Sequence, residues 1–335
     1  MNIFNTLFSE LSGYKSICEA IEKNISPVSV TGLSHIHRVN LISSLCHDKV
    51  NLVITGSEAE AKKLCDDINT MKGSETAVLF PSKELVFTPV DSSNHEYEYM
   101  RISALSKAVG GKCGVICASI EAVMQPVIPV GVLIAAGITL KSGMEIEMTE
   151  LAFRLSACGY QRSEKVEGAS QFSIRGSILD VYPVQADKPV RIEFYGDEVD
   201  IITEFDTDTQ RRTEQIESVE ISPASEVLYN NEELAGKIEE LCKKVRGKHT
   251  ELVREHLGAD VHRLRGGEVL AHGMKYYPLV YGEASSVFDY INGEVIFCEY
   301  SEIMETANNV LTQHNEDVKI LIEDGQLCKG LDGYY

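Results

Sequence analysis

Strand-like patterns separated by turns occupy residues 168–205, which read GASQFSIRGSILDVYPVQADKPVRIEFYGDEVDIITEF. Apolar and polar residues alternate between positions 190 and 195, as expected of a β-strand with one buried face. This period turns two sets of side chains to opposite faces: Val190, Ile192 and Phe194 to one, and Arg191, Glu193 and Tyr195 to the other. One face is therefore predicted to join a hydrophobic core, and the other carries a cation, an anion and an aromatic ring.

Glycines mark the turns on either side of this strand. Arg175 and Gly176 interrupt an earlier alternating run, as a bulge or a tight bend would. Tyr195, Gly196 and Asp197 then turn the chain into a following strand. The whole stretch is therefore predicted to form three short strands joined by turns.

The polar face of the strand at 190–195 has two interpretations. A solvated sheet surface with a cross-strand ion pair is common and contributes little to stability. A protein-docking face is the alternative, because arginine and tyrosine are enriched in binding hot spots. Periodicity alone does not separate the two.

Composition restricts the class of protein. The chain has 335 residues, 44% hydrophobic and 24% charged, as in globular proteins of two or three domains. Its net charge of -20 argues against nucleic-acid or membrane-surface binding by the whole chain, since phosphate binding needs clustered Lys and Arg. The nine cysteines form no CxxC pair, so reduced thiols are expected. No secretory leader or membrane-length apolar stretch is recognisable, which predicts a cytoplasmic protein without a membrane partner.

Strands alternate with helices in the first 126 residues. After two helical pieces within residues 2–23, the predicted strands are 27–32, 50–55, 77–80 and 114–119. The pattern returns near the other end with a strand at 294–299, a helix at 301–311 and a strand at 318–322. Strands alternating with helices are typical of a parallel α/β sheet.

A degenerate phosphate loop follows the first predicted strand. A working loop reads GxxxxGK[ST], in which glycine amides and the lysine bind phosphates and the hydroxyl binds Mg²⁺. In the stretch that begins at Gly32, His37 replaces the second glycine, Arg38 the lysine and Val39 the hydroxyl residue. Because valine cannot ligate Mg²⁺, a nucleotide site is not expected here.

The strand that would carry a metal-holding carboxylate is altered as well. Residues 294–299 read EVIFCE, with Cys298 where an aspartate would be expected. Glu299 alone is more typical of a capping or solvated residue. With both halves of an ATPase site altered, we expect no catalytic activity and no cofactor or metal in this chain.

The character of the sequence changes at residues 126–129. Short β-like segments and an amphipathic helix around 149–158 occupy residues 127–226, and we expect an inserted α+β domain there. Residues 1–126 and 227–335 would then form one discontinuous domain. The predicted fold class is α/β: a degenerate P-loop parallel-sheet domain with an inserted α+β domain.

Several motifs resemble a known family. Residues 172–183, 189–200 and 205–211 are similar to the second domain shared by UvrB and the Mfd family of bacterial transcription-repair coupling factors. Residues 80–87 and 276–281 resemble the coupling factors rather than UvrB. The resemblance covers nearly the whole chain. It implies a helicase-like first domain that has lost its ATPase loop, and motor and RNA-polymerase-interacting domains further along the full-length protein.

The resemblance also implies that the second domain, residues 127–226, binds UvrA. The family's contact residues are two arginines sixteen positions apart and an aromatic residue four positions after the second. Arg175 and Arg191 match that spacing, and Tyr195 occupies the aromatic position, where some relatives carry Phe. Glu193 is the acidic member between them.

The sequence thus predicts a non-catalytic N-terminal module that recruits UvrA to stalled RNA polymerase for nucleotide excision repair. RNA polymerase and DNA would be contacted through domains outside this chain. Two alternatives remain open at this point. One is a UvrB-type, ATP-dependent protein that handles damaged DNA, and the other is an intramolecular role in which the module masks the motor of the full-length protein.

Overall fold

The computed structural model describes residues 12–45, 49–83, 95–270 and 272–333, which form the mixed α/β fold that the sequence predicted. The helices are α1 (Ser12–Glu22), α2 (His35–Leu45), α3 (Glu58–Lys72), α4 (Glu96–Val109), α5 (Ile120–Met124), α6 (Val130–Ala136), α7 (Met148–Ala157), α8 (Asn231–Lys244), α9 (Thr250–Arg265), α10 (Tyr277–Tyr281) and α11 (Tyr300–Glu323). The strands are β1 (Asn51–Thr55), β2 (Ala77–Phe80), β3 (Val115–Ser119), β4 (Ile138–Lys141), β5 (Gln161–Arg162), β6 (Gln171–Arg175), β7 (Ile178–Val181), β8 (Val190–Tyr195), β9 (Glu198–Phe205), β10 (Arg212–Ile216), β11 (Ser218–Ile221) and β12 (Val295–Phe297). The helical piece predicted before residue 12 and motif residues 84–87 lie outside the described residues.

The chain divides into two compact units. The first comprises Met1–Ser82, Lys107–Val123 and Tyr290–Ala307, and the second comprises Lys83–Ser106, Met124–Asp289 and Asn308–Tyr335. The whole of the predicted inserted domain, 127–226, falls within the second unit, together with residues 227–289.

A four-stranded parallel sheet forms the centre of the first unit, in the order β12–β1–β3–β2. β1 and β3 are buried along their whole length, which accounts for their largely apolar sequences. Helix α3 begins after Ser57, whose side chain accepts a hydrogen bond from the backbone N–H of Glu60. The helix ends at Gly73 in the left-handed conformation, and its Leu64 packs with Val53 of β1 in the core.

The strand predicted at 27–32 is wrong, because these residues form neither helix nor strand. Val28 and Val30 alternate with polar residues, but both side chains are exposed. Pro27 has no N–H to donate to a neighbouring strand. The predicted strand–glycine–helix unit therefore lacks its strand.

The strand predicted at 318–322 is also wrong, since these residues belong to the long helix α11. Val318 and Leu321 pack into a core of the second unit. Residues three positions apart lie on one face of a helix, so burial at this spacing selects a helix over a strand. The alternating β-branched residues at 318, 320 and 322 had favoured the strand.

A six-stranded sheet contains the strands of residues 168–205, in the order β10–β9–β8–β7–β6–β5. Neighbouring strands from β10 to β6 are antiparallel, and the short β5 is parallel to β6. Two-residue turns begin at Gly176 and Gly196, whose φ angles are 64° and 65°, a region that favours glycine. Strands joined by turns are confirmed for this stretch, but the predicted number of three is wrong. The chain reverses at Gly176 and pairs β6 with β7, so the stretch contains four strands.

One face of the six-stranded sheet forms a hydrophobic core. Val190, Ile192 and Phe194 are buried in it, as their alternation predicted. Leu151 and Leu155 of the amphipathic helix α7 pack against the same core, as do side chains of the two-stranded sheet formed by β4 and β11. The intervening side chains of β8 therefore lie on the opposite face.

A separate core in the second unit forms around helices α8 and α9. Leu234 and Ile238 of α8 pack with Leu257 of α9. The side chain of Asn230 caps α8 by accepting hydrogen bonds from two backbone N–H groups of the first turn. Within the described ranges, none of the helices combines the length and apolar character needed to cross a membrane.

Candidate protein-docking site

Arg175 and Tyr195 lie at the same end of the six-stranded sheet. Arg175 is the last residue of β6 and Tyr195 is the last residue of β8. These two strands run in the same direction, because β7 lies between them and is antiparallel to both. Tyr195 is 82% exposed, so its ring is available at this end of the sheet.

Four polar residues form a row across strands β6 to β9. Ser173, Asp180, Arg191 and Thr203 lie directly opposite one another in consecutive strand pairs. Opposed residues of antiparallel strands point to the same face, so the row lies on the face away from the core. Asp180 is completely buried in this row, and a buried carboxylate requires charged or hydrogen-bonding partners.

Asp180 binds both of the arginines that the sequence singled out. Its Oδ1 accepts a hydrogen bond from Arg191 Nε at 2.7 Å. Its Oδ2 accepts bonds from Arg191 Nη2 at 2.9 Å and from Arg175 Nη2 at 2.5 Å. Arg191 therefore forms a forked, charge-assisted pair with the carboxylate. Two guanidinium groups share one carboxylate, so the cluster keeps a net positive charge.

All three nitrogen atoms of the Arg191 guanidinium group donate hydrogen bonds. Nη1 donates to the backbone oxygen of Gln210 at 3.2 Å, and the guanidinium carbon lies 4.8 Å from the centre of the Phe205 ring. Its hydrogen bond to Asp180 raises the pKa of Arg191. Only 12% of the Arg191 side chain is exposed, against 49% of the Arg175 side chain.

Two chain segments cover the polar row at Arg191. Gln210, which follows β9, donates from Nε2 to the backbone oxygen of Val166 at 3.3 Å and to that of Thr207 at 2.8 Å. Val166 itself is completely buried. The polar face of β8 is therefore covered at Arg191, whereas Arg175 and Tyr195 are more exposed.

Glu193 lies two residues beyond Arg191 on β8 and forms a different ion pair. Its Oε1 is 2.5 Å from Nη2 of Arg212 on β10. The structure thus brings Arg175 and Arg191 together on Asp180 and places Glu193 beside them in its own pair. Tyr195 stands at the exposed end of the same strand.

Sequence reasoning missed Asp180, although a local signal was present. Aspartate is depleted in strands, yet Asp180 stands between Leu179 and Val181 inside β7. Such a residue in an apolar strand indicates a buried charge that needs a cation. Gln210 and Arg212 approach the row only through the pairing of β9 and β10, which leaves no pattern in the sequence around Arg191.

The degenerate phosphate loop lies in the first unit. Gly32 has a positive φ of 79°, and His37 lies in the first turn of α2. Arg38 forms an ion pair with Glu299, the acidic residue that follows β12. Val39 is completely buried in the core beside the parallel sheet. Over the described residues, no group of three or more His, Cys, Asp or Glu side chains is placed to hold a metal.

Residues 138–227 match the UvrB interaction domain family. The chain is 29% identical over 339 residues to a "Transcription-repair-coupling factor" of Bacillus subtilis (strain 168), an alignment that covers 98% of this chain and 29% of the relative. The protein of the same name from Staphylococcus aureus (strain MRSA252) is 26% identical, with 97% and 28% covered. That from Staphylococcus haemolyticus (strain JCSC1435) is 27% identical, with 89% and 26% covered. The chain thus spans less than a third of the length of these relatives.

The resemblance that the sequence motifs indicated is therefore confirmed over nearly the whole chain. Every residue of the cluster, and Tyr195 and Glu193 beside it, falls within the matched range 138–227.

Proposed function

We propose that this chain is a non-catalytic module of a transcription-repair coupling factor and that residues 138–227 recruit UvrA. In the full-length protein the module would bring UvrA to stalled RNA polymerase for nucleotide excision repair. RNA polymerase and DNA would be bound by domains outside this chain. The observation that carries the proposal is the shared binding of Arg175 and Arg191 by Asp180 beside the exposed Tyr195, within a UvrB interaction domain.

The docking surface, defined here as Arg175, Arg191, Glu193 and Tyr195, has the chemistry of a binding hot spot. The half-exposed guanidinium of Arg175 has further N–H groups with which to bind a carboxylate on UvrA. Tyr195 supplies a large ring and a hydroxyl group. Arginine and tyrosine are both enriched in binding hot spots. Glu193 is already paired with Arg212, which suits it to the rim of a contact, where charges contribute less to affinity.

The positive charge of the docking surface is local, because the chain as a whole has a net charge of -20. A carboxylate of UvrA would be attracted to Arg175 only at short range. The Debye length is about 8 Å at physiological ionic strength, and salt screens most of the electrostatic field beyond it. The weak field that remains at larger distances is set by the net negative charge of the rest of the chain. Affinity would therefore depend on direct contact at Arg175 and Tyr195 rather than on long-range steering.

The lack of ATPase activity that we propose is supported by the degenerate loop. Arg38, at the position of the phosphate-binding lysine, is paired with Glu299. Val39, at the position of the Mg²⁺-binding hydroxyl, is part of the hydrophobic core. Arg38 could bind a phosphate only by giving up its ion pair with Glu299, and Val39 could approach a nucleotide only by leaving the core.

Isothermal titration of UvrA with the 335-residue chain tests the docking surface. The parent chain is expected to bind, and Arg175→Ala and Tyr195→Ala are each expected to weaken binding about 30-fold or more, equivalent to about 2 kcal/mol. Arg154→Ala and Phe153→Ala are matched controls on α7, which packs on the core face of the sheet, and they should bind like the parent.

Parental affinity in both Arg175→Ala and Tyr195→Ala would contradict the docking surface. Titration with ATP in the same buffer addresses the alternative function. Saturable ATP binding by the parent chain would favour the UvrB-type ATPase over a non-catalytic module.

A further inference from the structure

We propose that Asp180 is the positioning residue of the docking surface, which holds the guanidinium of Arg175 in the orientation that UvrA meets. This role rests on the UvrA docking proposed above. Arg191 acts with Asp180 from beneath the surface, whereas Arg175 and Tyr195 make the contact. The two arginines of the docking surface therefore have different roles, although the family's spacing motif includes both as contact residues.

The first reason is that the guanidinium nitrogens of Arg191 already donate hydrogen bonds within the chain. Its Nε and Nη2 are bound to Asp180, its Nη1 is bound to Gln210, and one face of the group lies over Phe205. Because only 12% of the Arg191 side chain is exposed, a docking protein would contact mainly the residues around Arg191. Loss of Arg191 would therefore act chiefly through Asp180 and the charge balance of the cluster.

The second reason is the place of Asp180 in the sheet. It lies on β7, between the strand that carries Arg175 and the strand that carries Arg191. Both of its oxygens are used, and its side chain is completely buried. The backbone of three paired strands therefore fixes the carboxylate, and the carboxylate in turn fixes the arginine at the strand end.

The third reason is that Arg175 needs a restraint. Arg175 is the last residue of β6, next to a hairpin turn, and half of its long side chain is exposed. An unrestrained arginine loses rotamer entropy when it binds, so a side chain that is already held in place binds more tightly. Without Asp180, the two guanidinium groups would also face each other as like charges.

Asp180→Asn tests this role, because asparagine has nearly the same shape but replaces one acceptor oxygen with an amide that cannot accept from a guanidinium group. UvrA affinity is expected to fall at least tenfold, while cooperative unfolding followed by circular dichroism is retained. In the Arg175→Ala background, Asp180→Asn is expected to change affinity less than about threefold, since a residue that acts through Arg175 has nothing left to position.

Arg191→Lys is the second arm of the experiment, and it tests the positioning role of Asp180 even if Asp180→Asn does not fold. Lysine keeps the positive charge but cannot form the forked pair. If Arg191 works by holding Asp180, this variant should lose at least tenfold in affinity. If Arg191 meets UvrA as a simple charge, the variant should bind like the parent, and the division of roles would be wrong.

The possible failures are distinguishable in one set of titrations. Parental affinity of a folded Asp180→Asn variant, or fully additive losses in the double variant, would overturn the positioning role. Weakened binding by Arg175→Ala and Tyr195→Ala would at the same time leave UvrA docking intact. A parent chain that does not bind UvrA would overturn the proposed function, and the positioning role with it.

Discussion

Arg101 and Glu226 form an ion pair in which neither side chain is exposed to solvent. Nε of Arg101 lies 3.2 Å from one carboxylate oxygen of Glu226 and 3.3 Å from the other. Arg101, on α4, also donates from Nη1 to the side-chain oxygen of Gln125 at 3.2 Å. Lys83 binds the same carboxylate. Glu226, near the end of the matched range 138–227, is thus the shared counterion of two largely buried cations.

Removal of this carboxylate is expected to destabilise the chain strongly. Glu226→Ala removes the carboxylate that binds both cations at a site buried from solvent, a change that costs about 3–5 kcal/mol. The free energy of unfolding in urea measures the effect. The matched control is Glu204→Ala, which removes a carboxylate from an exposed ion pair with Lys188 and should cost less than about 1 kcal/mol. Equal losses in the two variants would contradict the role of Glu226.

The same substitution is expected to have opposite effects at two glycines. Gly196 has a φ of 65° in the turn after Tyr195, so Gly196→Ala should cost about 1 kcal/mol of stability although nothing lies near the added methyl group. Gly236 lies inside helix α8 with open space beside it, so Gly236→Ala should stabilise by about 0.5–1 kcal/mol. Thermal unfolding checks both signs. A stabilising Gly196→Ala would mean that the turn does not require a left-handed residue.

Stability is expected to depend on pH through His95. The hydrogen bond between its Nδ1 and Glu98, at 3.1 Å, raises the pKa of His95 above the ordinary value of 6.5. Protonated His95 therefore favours the folded state: its contribution is fully present below pH 6.5 and is lost as the pH rises through the raised pKa. Because the side chain is 41% exposed, the contribution should stay below about 1 kcal/mol.

The measurement is the difference in unfolding free energy between the parent and His95→Asn at a series of pH values. The difference should be largest below pH 6.5 and shrink above it. In a Glu98→Gln background the pH dependence of that difference should disappear, since the partner of the cation is gone. A difference that grows with rising pH would contradict the assignment.

The strands of residues 168–205 were predictable because their signals are local. Alternation in β8 identified which side chains face the core, and the glycines identified where the chain turns. The errors at 27–32 and 318–322 have the opposite cause. A strand needs a neighbouring strand to pair with, and a helix needs an apolar face to bury. Neither requirement can be recognised from a pattern of five or six residues.

The candidate site also has features that could be predicted from the sequence and features that could not. Alternation and residue type singled out Arg191, Glu193 and Tyr195, and the resemblance to the coupling-factor family added Arg175. The degenerate loop was recognised from the replacement of its key residues. Their surroundings were not predictable. The solvent exposure of each side chain depends on Asp180, on the covering segment at Gln210 and on Arg212, which come from other strands and from the turn after β9.

The amino-acid sequence by itself determined the alternating strand, its two faces, the glycine turns and the resemblance of the chain to coupling factors, since each depends on residues close together in the chain or on their types. Only the tertiary structure decided that Arg191 is covered while Arg175 and Tyr195 are exposed, and that one buried carboxylate holds both arginines. The physical reason is that a buried charge is stabilised by whichever partners the packing of other strands brings to it, and strand register is set by the whole sheet.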